Sequence, residues 1–365
     1  MTELFFSHMD ADASAWLIVR RKKSIRISSG AGCEKGEGQG MYPETVNLHE
    51  IMEYWGHGEK LSRKSLAPAS DSACVEAQET VIKCLRPDSP RIVAEVWAGE
   101  GRYILKGIPA AGDDGEARGE QTIRGNASAH LFLGNRIGIA PRIFPVEGHD
   151  EIYYLNRNGY WFYLTEYIEG RPMQATPEDE FLLGRLARRL HSLKGYSLPS
   201  ALDENKRQFY EWFREKPFKP EFDALLDGLP DFAGYDRCFI HSDLGPHNTI
   251  IRENGEAVLV DLDDAGMGSR YLDLGWAFIM QFVEHTENMR LSYRFDLAQA
   301  FLKGYYGTER LSEKEYELLW QGAVYMHISY MQSYGPGAVD SLWKILRFGL
   351  AQKPRLWEMT KNGPR

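Results

Sequence analysis

From Phe239 to Phe278 the chain reads FIHSDLGPHNTIIRENGEAVLVDLDDAGMGSRYLDLGWAF, and no other stretch limits its fold so tightly. His241-Ser242-Asp243 and Asn248 form an H-x-D-x-x-x-x-N loop. The apolar run Thr249 to Ile251 follows, Asn254-Gly255 is a hairpin-type turn, and a second apolar run, Ala257 to Val260, ends at Asp261. A loop, a hairpin and a second loop bring Asp261 back close to Asn248.

That juxtaposition has a chemical meaning. A hydroxyl is a poor nucleophile, so a carboxylate must align it and accept its proton as a new bond forms. The charge of a triphosphate must be offset by magnesium, which takes oxygen ligands in near-octahedral geometry. One carboxylate, Asp261, and one amide oxygen, Asn248, can bind the ion while phosphates and water complete its shell. Protein kinases use the same parts, an Asp base, an Asn and a second Asp. Asp243 and Asn248 could instead make only turn and cap hydrogen bonds, as such residues often do. The fixed distance to V-D-L-D-D-A and D-L-G-W weighs for the chemical reading.

Together with TEYIEGRP (165–172) and LGRLARRLHSL (183–193), these segments resemble the aminoglycoside phosphotransferase and choline kinase family. Within it they are similar to the branch that includes homoserine kinase and the bacterial stress-response and spore-coat kinases. The resemblance extends over residues 75–350. It implies an α+β, bilobal protein-kinase-like fold with a small β-rich N-lobe and a larger helical C-lobe. It implies ATP and Mg2+ as cofactors, Asp243 as the catalytic base, Asn248 and Asp261 as magnesium ligands, and Asp273 as a buttress of the catalytic loop. The expected reaction moves the γ-phosphate to a hydroxyl of a small molecule, an aminoglycoside, an amino alcohol or a related metabolite. A protein Ser/Thr kinase of the same fold is a second reading, against which stands the missing D-F-G…A-P-E pattern. A non-catalytic pseudokinase or structural binding protein is a third, against which stand Asp243, Asn248, Asp261 and Lys106.

Neighbouring polar residues are expected to do quieter work. Asp263 and Asp264 read as loop caps or exposed carboxylates, His241 as a hydrogen-bonding prop for the loop, His247 as a surface loop residue, and His191 as a packed, satisfied histidine.

The first lobe should supply the nucleotide clamp. Val75, Ala77, Val81, Ile82 and Leu85 suggest a short helix, and RIVAEVWA (91–98) and RYILKGI (102–108) two strands around a Gly99–Gly101 turn. A helix runs to about Arg136 with Ile123, Ala127 and Leu131 on one face. IAPRIFPV, EIYYL and WFYLTEYI read as further strands. Lys106, on the strand YILK, is similar in position to the kinase lysine that pairs the α/β-phosphates. Its apolar neighbours Ile104 and Ile108 place it on a buried side, where a lysine favours a partner anion. Glu120, on the face of Ala127 and Leu131, is expected as its helix partner in preference to Glu116. Glu166 to Ile168 resembles the connector whose backbone groups read adenine. A glycine-rich loop is missing before the strand at 91, where PDSPR stands, so Ser89 and backbone amides are expected to cradle phosphate.

Residues 178–194 form an amphipathic helix with Leu183, Leu186, Ala187 and Leu190 on one face, and everything beyond Leu272 is helix-like. The acceptor pocket is expected there, among Glu284, His285, Glu287, Trp320, His327, Tyr330 and Tyr334. Carboxylates would suit an amino-sugar and aromatics a quaternary amine, although an aromatic stripe at helical spacing is usually core. Residues 1–68, with glycine-rich GAGCEKGEGQG, read as a loosely packed N-terminal extension, 69–168 as the N-lobe and 169–365 as the C-lobe.

Composition closes off other classes. A net charge of -9 argues against a nucleic-acid partner. The four cysteines are scattered without a CxxC pair, which speaks against zinc or a disulfide scaffold. The N-terminus has acidic residues where a signal peptide needs basic ones, and its apolar runs are too short for a membrane span. The expectation is a cytoplasmic protein, monomer or homodimer, whose partners are a nucleotide and a small-molecule acceptor.

Overall fold

Alternation along Ile92–Ala98 sets the architecture of the N-terminal unit: Ile92, Ala94, Val96 and Ala98 are all buried in one core, because successive strand side chains point to opposite faces. The computed structural model describes residues 46–56, 81–85, 91–99, 101–110, 120–202, 215–235, 237–285, 290–334 and 337–361. The chain divides between Ile168 and Glu169 into two compact units.

The first unit holds β1 (Val81–Cys84), β2 (Ile92–Ala98), β3 (Gly101–Pro109), β4 (Leu155–Arg157) and β5 (Tyr160–Glu166). They form one antiparallel sheet in the order β1-β2-β3-β5-β4. One face packs Leu105, Phe162 and Leu164 against Ile51, Met52 and Trp55. Those three lie on and just after a short helix, α1 (Leu48–Glu53), whose N-cap Asn47 accepts from the His49 and Glu50 backbone N–H groups. Part of the expected loose extension therefore belongs to the sheet's core. The opposite face packs Ile108 and Tyr163 on Ile123 and Ala127 of α2 (Glu120–His130). A π-helical turn, Leu131–Ile137, continues α2 and stops at Gly138, where φ is 80°.

Two sequence expectations fail here. The helix expected around Val75–Leu85 is a strand over Val81–Cys84, in register with Trp97 to Ala94 of β2; residues 75–80 lie outside the described residues. An edge of β2 with backbone groups to pair outweighs a weak helical spacing in a segment that opens with β-branched Val81 and Ile82. The strand expected at 139–146 makes only a bridge from Ile143 to Thr165, and of EIYYL only Leu155 enters β4. Pro141 and Pro145 remove the donors a ladder would need.

The second unit is mostly helical: α3 (Pro177–Ser192), α4 (Lys219–Asp227), α5 (Arg270–Met280), α6 (Phe295–Tyr306), α7 (Glu313–Tyr334) and α8 (Val339–Thr360). Thr176 caps α3 by accepting from Asp179 N, and Leu183, Leu186, Ala187 and Leu190 are buried as their spacing predicts. α3 and α6 meet backbone to backbone. A Cβ on Gly184 would stand 2.2 Å from Phe301 O, and one on Gly304 2.2 Å from Phe181 O, so only glycine permits the approach.

Three small antiparallel sheets interrupt the helices: β6 (Arg171–Pro172) with β8 (Thr249–Ile251) and β9 (Ala257–Leu259), β7 (Arg237–Ile240) with β10 (Gly266–Ser269), and β11 (Val283–His285) with β12 (Leu291–Tyr293). The last pair corrects the expectation of unbroken helix beyond Leu272. No described helix is long and apolar enough to cross a membrane.

Candidate active site

β7 delivers the H-x-D segment to its place. Directly after the strand, Asp273 of α5, fully buried, accepts from the backbone N–H of His241 and of Ser242, each at 2.6 Å. Two adjacent donors on one carboxylate leave the loop no rotational freedom, and Ser242 sits at φ 72°, a costly region for a residue with a Cβ. His191 of α3 bonds the same carboxylate through Nε2 at 3.2 Å, and its Nδ1 is 3.0 Å from the Tyr305 hydroxyl. Because Asp273 can only accept, Nε2 donates. His191 is thus packed and satisfied, as its sequence suggested, and what satisfies it is the prop of the loop.

His241 also holds the loop by hydrogen bonding, as expected: its Nε2 donates to Val260 O at 2.9 Å. Val260 N donates to Asn248 O at 2.9 Å, so the β8–β9 hairpin returns Asp261 beside Asn248. Its turn is a three-residue one. Arg252 N and Gly255 N bond Glu256 O and Arg252 O, each at 2.9 Å, with Gly255 at φ 80°, the form in which a type I turn is closed by a left-handed glycine. Asp261 itself has φ 61°. Ser242 and Asp261 are two of the three described non-glycine residues with positive φ, and the residues just before them, His241 and Val260, are hydrogen-bonded to each other; strained residues gather at functional sites in this way.

Asp243 is half-buried, and its two oxygens have different lives. Oδ2 receives Asn248 Nδ2 at 2.9 Å and faces His247 Nε2 at 3.1 Å. Among the described residues Oδ1 has only the long approach of the Tyr330 hydroxyl, 3.4 Å. Burial pushes the Asp243 carboxyl up, and the charge of Asp261 adds to that. The hydrogen bond and charge of His247, with the charge of His241, outweigh both and hold it below the ordinary carboxylate range. Asn248 also donates to Asp243 O at 3.0 Å. Both amide bonds are made by Nδ2, which leaves Oδ1 as the open end of the side chain, the oxygen donor that magnesium takes. Among the described residues no three His, Cys, Asp or Glu side chains converge to hold a metal. A ligand set of one amide oxygen and one carboxylate fits an ion that phosphates and water complete, not a closed protein cage.

His247, expected as a bystander, touches the Asp243 carboxylate. The signal was present in its spacing, four residues on across the tight turn Pro246–Asn248. Its ring lies 5.2 Å from that of Trp276, and Trp276 lies 6.1 Å from Tyr330. Gly245 makes the room: a Cβ there would meet the His247 ring at 2.7 Å and Trp276 at 2.9 Å. Asp264 is exposed and contributes its carbonyl to Ser242 Oγ at 3.0 Å; Asp263 is partly exposed.

The other expected acceptor residues scatter. Tyr330 reaches Asp243. Trp320 is core, and His327 is fully buried, donating to Leu342 O at 2.8 Å, its imidazole pushed down to about 4 by burial. Glu284 pairs with Arg294 at 2.7 Å, and His285 is partly exposed. Glu287 and the Tyr334 side chain lie outside the described residues.

In the first unit Lys106 is half-buried on the face of Ile108, its Nζ 5.9 Å from the Tyr163 ring centre. The expected pairing with Glu120 is not what the structure contains. Glu120 is the exposed first residue of α2, and its carboxylate accepts from the Tyr154 hydroxyl at 2.9 Å. A carboxylate at a helix N-terminus is already favoured by the helix dipole and needs no lysine. Glu166 ends β5 and bonds Arg142 Nε at 3.2 Å, while Ile168 is buried. Ser89 and Glu116 lie outside the described residues.

The sequence matches the profile of the phosphotransferase enzyme family over residues 89–313, more than half of the chain. No curated protein matches it. Among solved structures it is similar to the microcompartment-associated aminopropanol kinase, at 15% identity over 87% of this chain and 99% of that one, with a TM-score of 0.52. It is also similar to choline kinase from Cryptosporidium parvum Iowa II, at 14% identity over 77% and 90%, with a TM-score of 0.50. At these identities the likeness is one of fold. The family match gives the class: the chain belongs to the phosphotransferase enzyme family, with a protein-kinase-like fold.

Proposed function

We propose that this protein moves the γ-phosphoryl group of magnesium-bound ATP to the hydroxyl of a small metabolite, with Asp243 as the base. The observation that carries the reading is the asymmetry of Asp243: Oδ2 is held by Asn248 and His247, and Oδ1 is left for a reacting hydroxyl. Oδ1 orients that hydroxyl and takes its proton as the new P–O bond forms and the bond to ADP breaks. Asn248 Oδ1 and Asp261 are the residues that would hold magnesium, and Lys106 would pair the α/β-phosphates. The bound ion supplies charge neutralisation on the phosphates. The Glu166–Ile168 backbone is proposed to read the base.

Two observations favour an acceptor that is not a polycation. His247 and Tyr330 reach Asp243 and Trp276 packs against both of their rings, and Glu284 is engaged by Arg294. The aminopropanol kinase and choline kinase named above make amino alcohols the first acceptors to try. The test is ATP consumption over amino alcohols, aminoglycosides, homoserine, sugars and a generic protein substrate. Turnover with the protein alone would replace this reading by a protein kinase. No turnover and no nucleotide-induced thermal shift would replace it by a binding protein. For the metal site, Asp261→Ala should weaken magnesium-dependent ATP binding, and unchanged affinity by calorimetry would remove Asp261 from the ligand set.

A further inference from the structure

Glu180 lies in the second turn of α3, fully buried. Its Oε1 accepts from Gln281 Nε2, the residue that ends α5. The other two atoms of this pair, Glu180 Oε2 and Gln281 Oε1, are both buried, both oxygens, and both without a hydrogen-bond partner among the described residues. Two buried acceptors without donors, on side chains already joined by one hydrogen bond, are costly as they stand, and a single added hydrogen shared by the two side chains would satisfy both. A carboxylic acid donates through one oxygen and accepts through the other, and a primary amide does the same.

We propose that Glu180 carries a proton in the folded protein and closes a two-bond ring with Gln281, a proton-dependent latch between the start of α3 and the end of α5. In the closed ring Gln281 Nε2–H donates to Glu180 Oε1, and Glu180 Oε2–H donates to Gln281 Oε1. The surroundings agree. Burial pushes the Glu180 carboxyl up to about 8, with Asp179 and Asp296 adding to it and Gln281 and Arg294 opposing. Arg294, the cation that acts on Glu180, has carboxylates of its own, and so does Arg171, which pairs with the adjacent Asp179. Arg171 is bonded by Asp179 at 2.6 and 2.7 Å, and Arg294 by Asp296 and Glu284 at 2.7 Å each.

The position gives the latch a consequence. α3 is fastened to α5 at two points, Glu180 to Gln281 and His191 to Asp273, with the start of one helix against the end of the other. Asp273 holds the candidate catalytic loop, so Glu180 acts as a positioning residue through α5.

Sign and size follow from linkage. A carboxyl with a raised folded-state pKa favours folding most at low pH, and this contribution is lost as pH rises from the unfolded value through about 8. Between those limits the folding equilibrium constant falls about tenfold per pH unit from this group alone. The experiment is unfolding of the full chain from about pH 5 to pH 9.5, wild type against Glu180→Gln, with infrared detection of a protonated carboxyl. Glu180→Gln can keep both bonds as an amide pair. It should lack the slope, and the protonated-carboxyl band of the wild type should be missing from it. If the wild type has neither that band nor a steeper slope than the variant, a buried water or cation satisfies the two oxygens and the latch is wrong. Gln281→Ala is the second variant. It should shift the Glu180 band in frequency; a band unchanged in frequency would overturn the pairing even if Glu180→Gln does not fold.

Discussion

The two ends of the α3–α5 clamp bury a carboxyl each and satisfy it by opposite means. At the loop end Asp273 receives three donors, two backbone N–H groups at 2.6 Å and His191 at 3.2 Å. At the far end Glu180 receives one, from Gln281, and leaves an oxygen over. Donor count, not depth of burial, separates them, since both are 0% exposed. A carboxyl with enough donors serves as a rigid acceptor. One without them takes up a proton and becomes sensitive to pH. The catalytic loop hangs from the rigid end.

Removing the rigid end should cost most. Asp273→Ala leaves the N–H groups of His241 and Ser242 without their acceptor, at about 1–3 kcal/mol each. The expected loss is roughly 2–6 kcal/mol in urea unfolding, and turnover should fall with it because Ser242 can no longer be held at positive φ. Asp273→Asn keeps one accepting oxygen and should fall between. A loss below about 1 kcal/mol for Asp273→Ala would mean that donor count does not distinguish the two ends.

Asp243 sharpens the contrast from the solvent side. It lies two residues along from His241, yet it is half-exposed and only one of its oxygens is held by close bonds. Asp243→Ala should leave thermal stability nearly unchanged while lowering turnover by roughly 10²–10⁴. Near-normal turnover with a verified acceptor would reject it as the base. A large drop in stability would move it into the same class as Asp273.

Much of this region was legible because its logic is local in sequence. The H-x-D-x-x-x-x-N spacing, the Asn254-Gly255 turn and the D-L-G-W helix fix Asp243, Asn248, Asp261 and Asp273 within one short stretch. What stayed hidden depended on partners far along the chain. Val81–Cys84 has too little spacing signal of its own, and β2 decides its state. Ile51, Met52 and Trp55 sit amid glycine-rich and polar sequence, and only the sheet they cover gives them meaning. Helical face points to Glu120, but face does not report that Tyr154 supplies its hydrogen bond. Glu180 and Gln281 lie about a hundred residues apart, and no motif joins them.

The smallest effect tests whether the third donor on Asp273 matters at all. His191→Phe fills much the same volume against Tyr305, whose ring centre lies 5.6 Å from that of His191, but it removes the bond to Asp273 and one partner of the Tyr305 hydroxyl, which keeps Arg270. Two backbone donors would still hold Asp273, so the loop should keep its place and the loss should be about 1–2 kcal/mol. The informative comparison is with the other end of the clamp. If His191→Phe costs no more than Gln281→Ala near pH 6, the backbone donors alone make the loop end rigid, and His191 serves chiefly to join the helices. If it costs as much as Asp273→Ala, the imidazole is a full member of the acceptor's coordination, and the loop depends on all three donors acting together.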